Sequence, residues 1–189
     1  MRKIRVAAAA LTIVLGPAGL AHADGFITPY LGFNTGGASG QCITLTNCED
    51  KRLNFGVSLG VTNGILGFEE DIGYAPKFFG DVGAEANGVL TAMSNLLVIV
   101  PAGPIRPYGL FGLGLIQPHF QFSTGSFELK RNALGYDVGG GINLFFTPGV
   151  GLRGDVRHIQ TFKDNFRFPG FNSDRVDFWR ASAGLTFKF

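Results

Sequence analysis

Trp179-Arg180-Ala181-Ser182-Ala183-Gly184-Leu185-Thr186-Phe187-Lys188-Phe189 closes the chain with an apolar residue at every second position. Trp179, Ala181, Ala183, Leu185, Phe187 and Phe189 form one set, while Arg180, Ser182, Gly184, Thr186 and Lys188 form the other. Period-two alternation marks a strand whose two faces meet unlike environments. Ten steps of about 3.3 Å, tilted by roughly 40°, rise about 25 Å, the height of the apolar band on a transmembrane barrel. Trp179 and Phe189 then sit at the two interfaces, where aromatic girdles form. The segment reads as a strand crossing an outer membrane.

The start of the chain points to the same compartment. Arg2, Lys3 and Arg5 precede an apolar run from Val6 to Leu15, and Ala21-His22-Ala23 offers the small residues of a cleavage site. This is the pattern of a secretory signal peptide, too short for a spanning helix. The expected division is residues 1–23 as signal peptide and 24–189 as barrel. The whole chain carries 16 basic and 14 acidic residues, and three of the basic ones lie in the signal, leaving 13 against 14. Nothing in that balance supports a nucleic-acid partner. Past the signal, the longest aliphatic run is Leu96 to Val100, far short of the ~20 residues that a membrane helix requires.

Turn signals divide the remainder into eight strands, expected near Phe26–Asn34, Leu53–Val61, Ile65–Ala75, Val89–Val100, Tyr108–Gln117, Ala133–Phe146, Val150–Thr161 and Asp177–Phe189. Thr62-Asn63-Gly64, the proline-rich stretch Pro101–Pro107 and Thr147-Pro148-Gly149 give short turns. The alternate connections, Thr35–Arg52, Pro76–Gly88, Pro118–Asn132 and Phe162–Val176, are long. Short periplasmic turns and long outer loops are the arrangement of a transmembrane β-barrel. The fold class is therefore an all-β, eight-stranded, antiparallel up-and-down barrel. Glycines at 109, 112, 114, 135, 139, 140 and 141 fall inside strands, and small inward residues would relieve crowding in so narrow a barrel.

Parity then assigns the charges. With Leu152 and Val156 facing lipid, Arg153, Asp155 and Arg157 point inward, as do Glu69, Asp71, Asp137 and Arg180. Unpaired charges are costly to bury, so these seven are expected to compensate one another, with Arg106 as a further cation near the periplasmic rim. The set is either the packed polar core of the barrel or a gate for a small ion pathway, and the narrow bore favours the core. Glu70 breaks the pattern, because its parity places it with Phe68 and Ile72 on the lipid face. A bulge or an interfacial position is the expected explanation.

Other chemistry is sparse. His119 and His158 are the only histidines beyond the signal, and no serine accompanies His158 on its strand. No catalytic set, metal cluster or cofactor motif emerges. Cys42 and Cys48, six apart in the first long connection of an exported chain, read as a loop disulfide.

Gly67-Phe68-Glu69-Glu70-Asp71-Ile72-Gly73-Tyr74, Arg106-Pro107-Tyr108-Gly109, Gly151-Leu152-Arg153-Gly154-Asp155-Val156-Arg157 and the terminal Phe189 together resemble the outer-membrane β-barrel domain family, the small OmpA-, OmpX- and opacity-type barrels of Gram-negative bacteria. The resemblance spans the chain after the signal. It implies insertion by the barrel assembly machinery, which would read the outward set Trp179, Leu185, Phe187 and Phe189 as a C-terminal signal. It implies no single activity, since a shared fold hosts many functions. The peptidoglycan-binding domain of OmpA-like relatives is absent, so a cell-wall tether is not expected. The expected partners are outer-membrane lipid, the assembly machinery and an extracellular or host ligand met by the loops, with the barrel a monomer. The leading expectation is a non-enzymatic surface protein. A narrow channel gated by the Arg/Asp/Glu set is the alternative, and a lipid-modifying enzyme using His158 and Glu70 ranks third.

Overall fold

The computed structural model describes residues 23–36, 52–76, 78, 86–121, 128–130, 132–162 and 176–189. Each alternating segment forms a strand: β1 (Asp24–Thr35), β2 (Arg52–Asn63), β3 (Leu66–Pro76), β4 (Ala86–Ile99), β5 (Ile105–Gln121), β6 (Glu128–Lys130), β7 (Ala133–Thr147), β8 (Val150–Thr161) and β9 (Asp177–Lys188). All pairings are antiparallel between successive long strands, and β1 also pairs with β9, which closes the sheet into an eight-stranded barrel. The three-residue β6 is a flap on the far end of β5, paired through Phe120 and Leu129.

Register fixes the size of the cylinder. A row of paired residues leaves β8 at Val150 and runs through Phe187, Ile27, Leu59, Glu70, Ser94, Leu113 and Tyr136 before it returns to β8 at Gln160. The row therefore meets its own strand ten residues further on, from 150 to 160. Eight strands with that stagger tilt by about 40° and enclose a backbone cylinder roughly 16 Å across. Only side chains fit inside.

The two surfaces are inverted relative to a water-soluble domain. Leu31, Leu53, Leu66, Leu96, Phe111, Leu134, Leu152 and Leu185 are exposed on the outside, whereas Glu69, Asp71, Asn95, Asp137, Arg157 and Arg180 are buried inside. Above the charged layer, on the side of the long connections, Phe78, Val89, Met93, Ile116, Ile159 and Phe178 pack as an apolar cluster. The Phe78 and Phe178 rings meet edge-on at 4.7 Å. Below it, toward the short turns, Leu97, Ile99, Tyr108 and Leu110 form a second cluster.

Three local expectations need correction. Residues 105–107 belong to β5 rather than to the turn before it: Val100 donates to the Pro107 carbonyl at 2.8 Å, and Pro107 aligns with Ile142. Proline needs no donor to hold that position, because its carbonyl carries the bond. The β2–β3 turn centres on Gly64-Ile65 rather than on Asn63-Gly64, with Gly64 at φ 61°. Glycine at the first central position with positive φ is what a type II′ hairpin requires. Of the strand glycines, Gly109 and Gly140 fall on the outward parity, so they relieve no lumenal crowding.

Glu70 sits in no bulge. The β2–β3 and β3–β4 ladders run without interruption past it, aligning it with Leu59 and Ser94. Ser94 Oγ lies 2.8 and 2.9 Å from the two carboxylate oxygens. Glu70 lies four strands along a row that climbs about 3 Å per strand from the periplasmic turn at Val150. That height of roughly 12 Å is near the middle of a ~25 Å apolar band, so the interfacial expectation fails as well. A carboxyl group facing lipid there is unfavourable. Glu70→Leu should accordingly raise unfolding free energy in lipid vesicles by about 1–2 kcal/mol, read from urea titrations. A loss of stability would contradict the mid-membrane, lipid-facing position.

Candidate functional site

Arg157 of β8 stands at the centre of the lumen because period-two alternation turns every odd residue of β8 inward. Its Nη2 donates to Glu69 Oε1 and to Asp155 Oδ2, both at 3.0 Å, and its Nε reaches Asp155 Oδ1 at 3.2 Å. Its Nη1 lies 3.6 Å from both Asp71 Oδ2 and Asp137 Oδ2. Arg153, two residues earlier, grips the second Glu69 oxygen through Nη1. Arg180 of β9 donates through Nη2 to Asp71 Oδ1 at 2.6 Å. Glu69, Asp71, Asp137, Arg153, Asp155, Arg157 and Arg180 thus meet in one cluster, which ties β3 to β8 and β9 across the bore.

Neutral side chains that parity alone did not single out complete the cluster. Tyr108 O–H donates to Asp155 at 2.9 Å and accepts from Arg153 Nε at 2.6 Å. Tyr30 plays the same double role between Asp71 (3.2 Å) and Arg180 (3.0 Å). Ser58 and Ser182 donate to Asp71 and Asp155 at 2.9 and 2.8 Å, and Asn95 donates to Glu69 at 3.1 Å. The signal for them was present: each is a hydroxyl or amide at inward parity, at the height of a charge on a facing strand. Glycine supplies the room. A Cβ on Gly112 would collide with Asn95 Oδ1 and Asp137 Oδ1, and one on Gly73 would lie 2.6 Å from Arg180 Nη1.

The remaining candidates lie elsewhere. Arg106 stays outside the cluster, where its Nε donates to the Gly103 carbonyl at 3.3 Å and its guanidinium covers the Phe145 ring at 5.1 Å. It occupies the periplasmic rim, too low to reach the four carboxylates. His158 faces outward and stacks beside Trp179 at 4.9 Å. Trp179, Leu185, Phe187 and Phe189 are exposed on the outer wall. Cys42 and Cys48 lie outside the described residues, as does the expected signal peptide apart from Ala23.

The profile of the outer membrane protein beta-barrel domain family matches residues 7–189. The chain belongs to that family. Three solved structures show the same fold. Neisserial surface protein A is 16% identical, with a TM-score of 0.65 over 88% of this chain and 97% of its own. OprG of Pseudomonas aeruginosa is 14% identical, with a TM-score of 0.60 over 88% and 96%. Ail of Yersinia pestis, solved with the heparin analogue sucrose octasulfate, is 14% identical, with a TM-score of 0.51 over 87% and 97%. No curated protein matches in sequence.

An outer-membrane barrel has lipid on its outside, so its polar residues must find partners inside. This cluster presents four carboxylates to three guanidinium groups. Asp137 is the surplus acid, since neither of its oxygens has a hydrogen-bond partner among the described residues. Removing Glu69 would strip Arg153 and Arg157 of a shared partner in a dry interior, and breaking a buried pair in this way costs about 3–5 kcal/mol. Glu69→Ala should lower unfolding free energy by that amount in vesicle-based urea titrations. A change below 1 kcal/mol, as for a surface pair, would show the cluster to be solvated.

Proposed function

We propose that this outer-membrane barrel is a sealed, non-enzymatic anchor that presents its long outer connections to a ligand or surface outside the cell. The observation that carries the reading is the filled lumen. The charged layer around Arg157 is capped by the Phe78–Phe178 cluster above, and below it Leu97, Ile99, Tyr108 and Leu110 pack inside the β4–β5 wall. An ion pathway would have to unpack both apolar layers and separate pairs at 2.6–3.2 Å. Work of that kind has no evident source in so narrow a cylinder.

With the bore closed, the outer connections are the surface left to carry interaction. Their composition suits contact: Phe122 and Phe127 fall in one, and Phe162, Phe166, Phe168 and Phe171 in another. The fold is compatible with this use, since Ail has been solved with a heparin analogue bound. Among the described residues no catalytic set is assembled, which fits a non-enzymatic role. Glu70 and Ser94 pair on β3 and β4, whereas His158 is on β8, with β9, β1 and β2 between them. In this reading the barrel works as a monomer, and the assembly machinery recognises the outward residues of β9 with Phe189.

The channel reading is separated by planar-bilayer recording of the purified protein. The sealed barrel gives no discrete openings, while remaining folded by its shift in gel mobility on heating. Steady openings whose size changes in Arg153→Ala/Arg157→Ala would make the cluster a gate and the protein a small channel.

A further inference from the structure

The formal charges of the central layer do not cancel. Glu69, Asp71, Asp137 and Asp155 face Arg153, Arg157 and Arg180, and all are buried. A charge buried in excess is costly, and a titratable group so placed becomes neutral instead. Hydrogen bonding sets one of the four acids apart. Both oxygens of Glu69, of Asp71 and of Asp155 accept from arginine, tyrosine, serine or asparagine donors. Neither oxygen of Asp137 accepts any bond among the described residues. Arg157 Nη1 is 3.6 Å from Asp137 Oδ2 and equally far from Asp71 Oδ2, so it is divided between two acids and bonds to neither.

A second unpartnered acceptor stands beside Asp137. Asn95 of β4 is wholly buried, and its Nδ2 donates to Glu69 Oε1 at 3.1 Å. That bond turns Oδ1 away from Glu69, and Oδ1 has no partner among the described residues. Gly112 of β5 aligns with Asn95 on one side and with Asp137 on the other. A Cβ on Gly112 would collide with Asn95 Oδ1 and Asp137 Oδ1 at once, so both oxygens border the space that the glycine leaves, within about 4 Å of each other. Two bare acceptors facing one another in a buried site repel. One proton between them makes a hydrogen bond and satisfies both. Reversing the Asn95 amide does not serve instead, because it would set Oδ1 against Glu69 Oε1.

We propose that the sealed lumen binds one proton at neutral pH, held on Asp137 and donated to Asn95 Oδ1. The charged groups facing Asp137 are Arg157 of β8, Arg180 of β9, and Glu69 and Asp71 of β3. With the proton in place, three carboxylates oppose three guanidinium groups and the layer is neutral. Folding then takes up a proton that the unfolded chain has released above the ordinary carboxylate range. The stability this site contributes therefore falls as pH rises, and it is exhausted once the folded barrel releases the proton.

Infrared spectra of the purified protein in a maltoside detergent, which carries no ester carbonyl, test the proposal. At neutral pH the native protein should show a carboxylic-acid C=O stretch above the amide I band, displaced in D₂O, and Asp137→Asn should lack it. Asparagine keeps the shape, can donate to Asn95 and cannot ionise, so the other carboxylates titrate alike in both proteins. Urea unfolding across pH gives the second readout. Relative to Asp137→Asn, the folding equilibrium constant of the native protein should fall about tenfold per pH unit above the ordinary carboxylate range, and level off where the band disappears. Folding of the variant is checked by heat-dependent gel mobility. Absence of any carboxylic-acid band from the native protein at neutral pH would overturn the proposal, whether or not Asp137→Asn folds. So would a band that persists in folded Asp137→Asn, or a stability ratio that stays flat or rises with pH.

Discussion

The ion pairs that join Arg157 and Arg153 of β8 to Glu69 of β3 span the barrel from one wall to the other. Every other feature of the interior is arranged around that crossing. Strand pairing alone would hold neighbours together and leave the bore open. The crossing ties together strands that are not neighbours, and it does so with side chains that are almost wholly buried. Its geometry requires the even-numbered glycine at 112 and the odd one at 73, because a side chain at either position would occupy the space of Asp137 or Arg180. It also requires Tyr30 and Tyr108, each of which both accepts and donates a hydrogen bond between a guanidinium and a carboxylate. The hydrogen bonds of the network concentrate on Glu69, Asp71 and Asp155, whereas Asp137 and one nitrogen each of Arg153, Arg157 and Arg180 have no hydrogen-bond partner among the described residues.

Layering follows from the same constraint. Charges at the mid-height of a narrow cylinder are protected from solvent by apolar clusters above and below. The lower boundary is less complete than the upper one. Arg153 belongs to the central cluster through two of its nitrogens and also lines the periplasmic mouth. At that end Arg106 and Lys188 gather around the Phe145 ring.

Much of this was legible in the order of residues, for a physical reason. In a membrane barrel one face of each strand must be apolar and the other must not, so the parity of Leu152 and Val156 assigns Arg153, Asp155 and Arg157 to the lumen without any knowledge of the turns. Chain direction and strand count followed from where proline, glycine and asparagine interrupt the alternation. What parity does not encode is height. Whether Glu69 meets Arg153 or Arg180 depends on the stagger of the sheet, which the ladders set and no single strand reveals. Arg106 lies near the periplasmic rim, as expected, but there it meets the Gly103 carbonyl and the Phe145 ring rather than the charged cluster. Glu70 raised the opposite difficulty. Its outward parity was plain, but a bulge is the usual way to excuse an outward carboxylate, and only the unbroken register excludes one. Tyr30, Ser58, Asn95 and Tyr108 do not stand out in the sequence, because neutral polar residues are common at inward positions and become informative only beside a charge.

The central claim is that Glu69 and Arg157 interact directly across the lumen, and a double-mutant cycle measures that interaction most directly. Unfolding free energies of the protein, Glu69→Gln, Arg157→Met and the double variant in the same lipid vesicles give the coupling between the two side chains. The account predicts a coupling of about 1.5–3 kcal/mol, with the double variant less destabilised than the sum of the single ones. A coupling indistinguishable from zero, with both single variants additive, would mean that the two groups do not depend on one another and that the barrel is held together by its strand pairing alone.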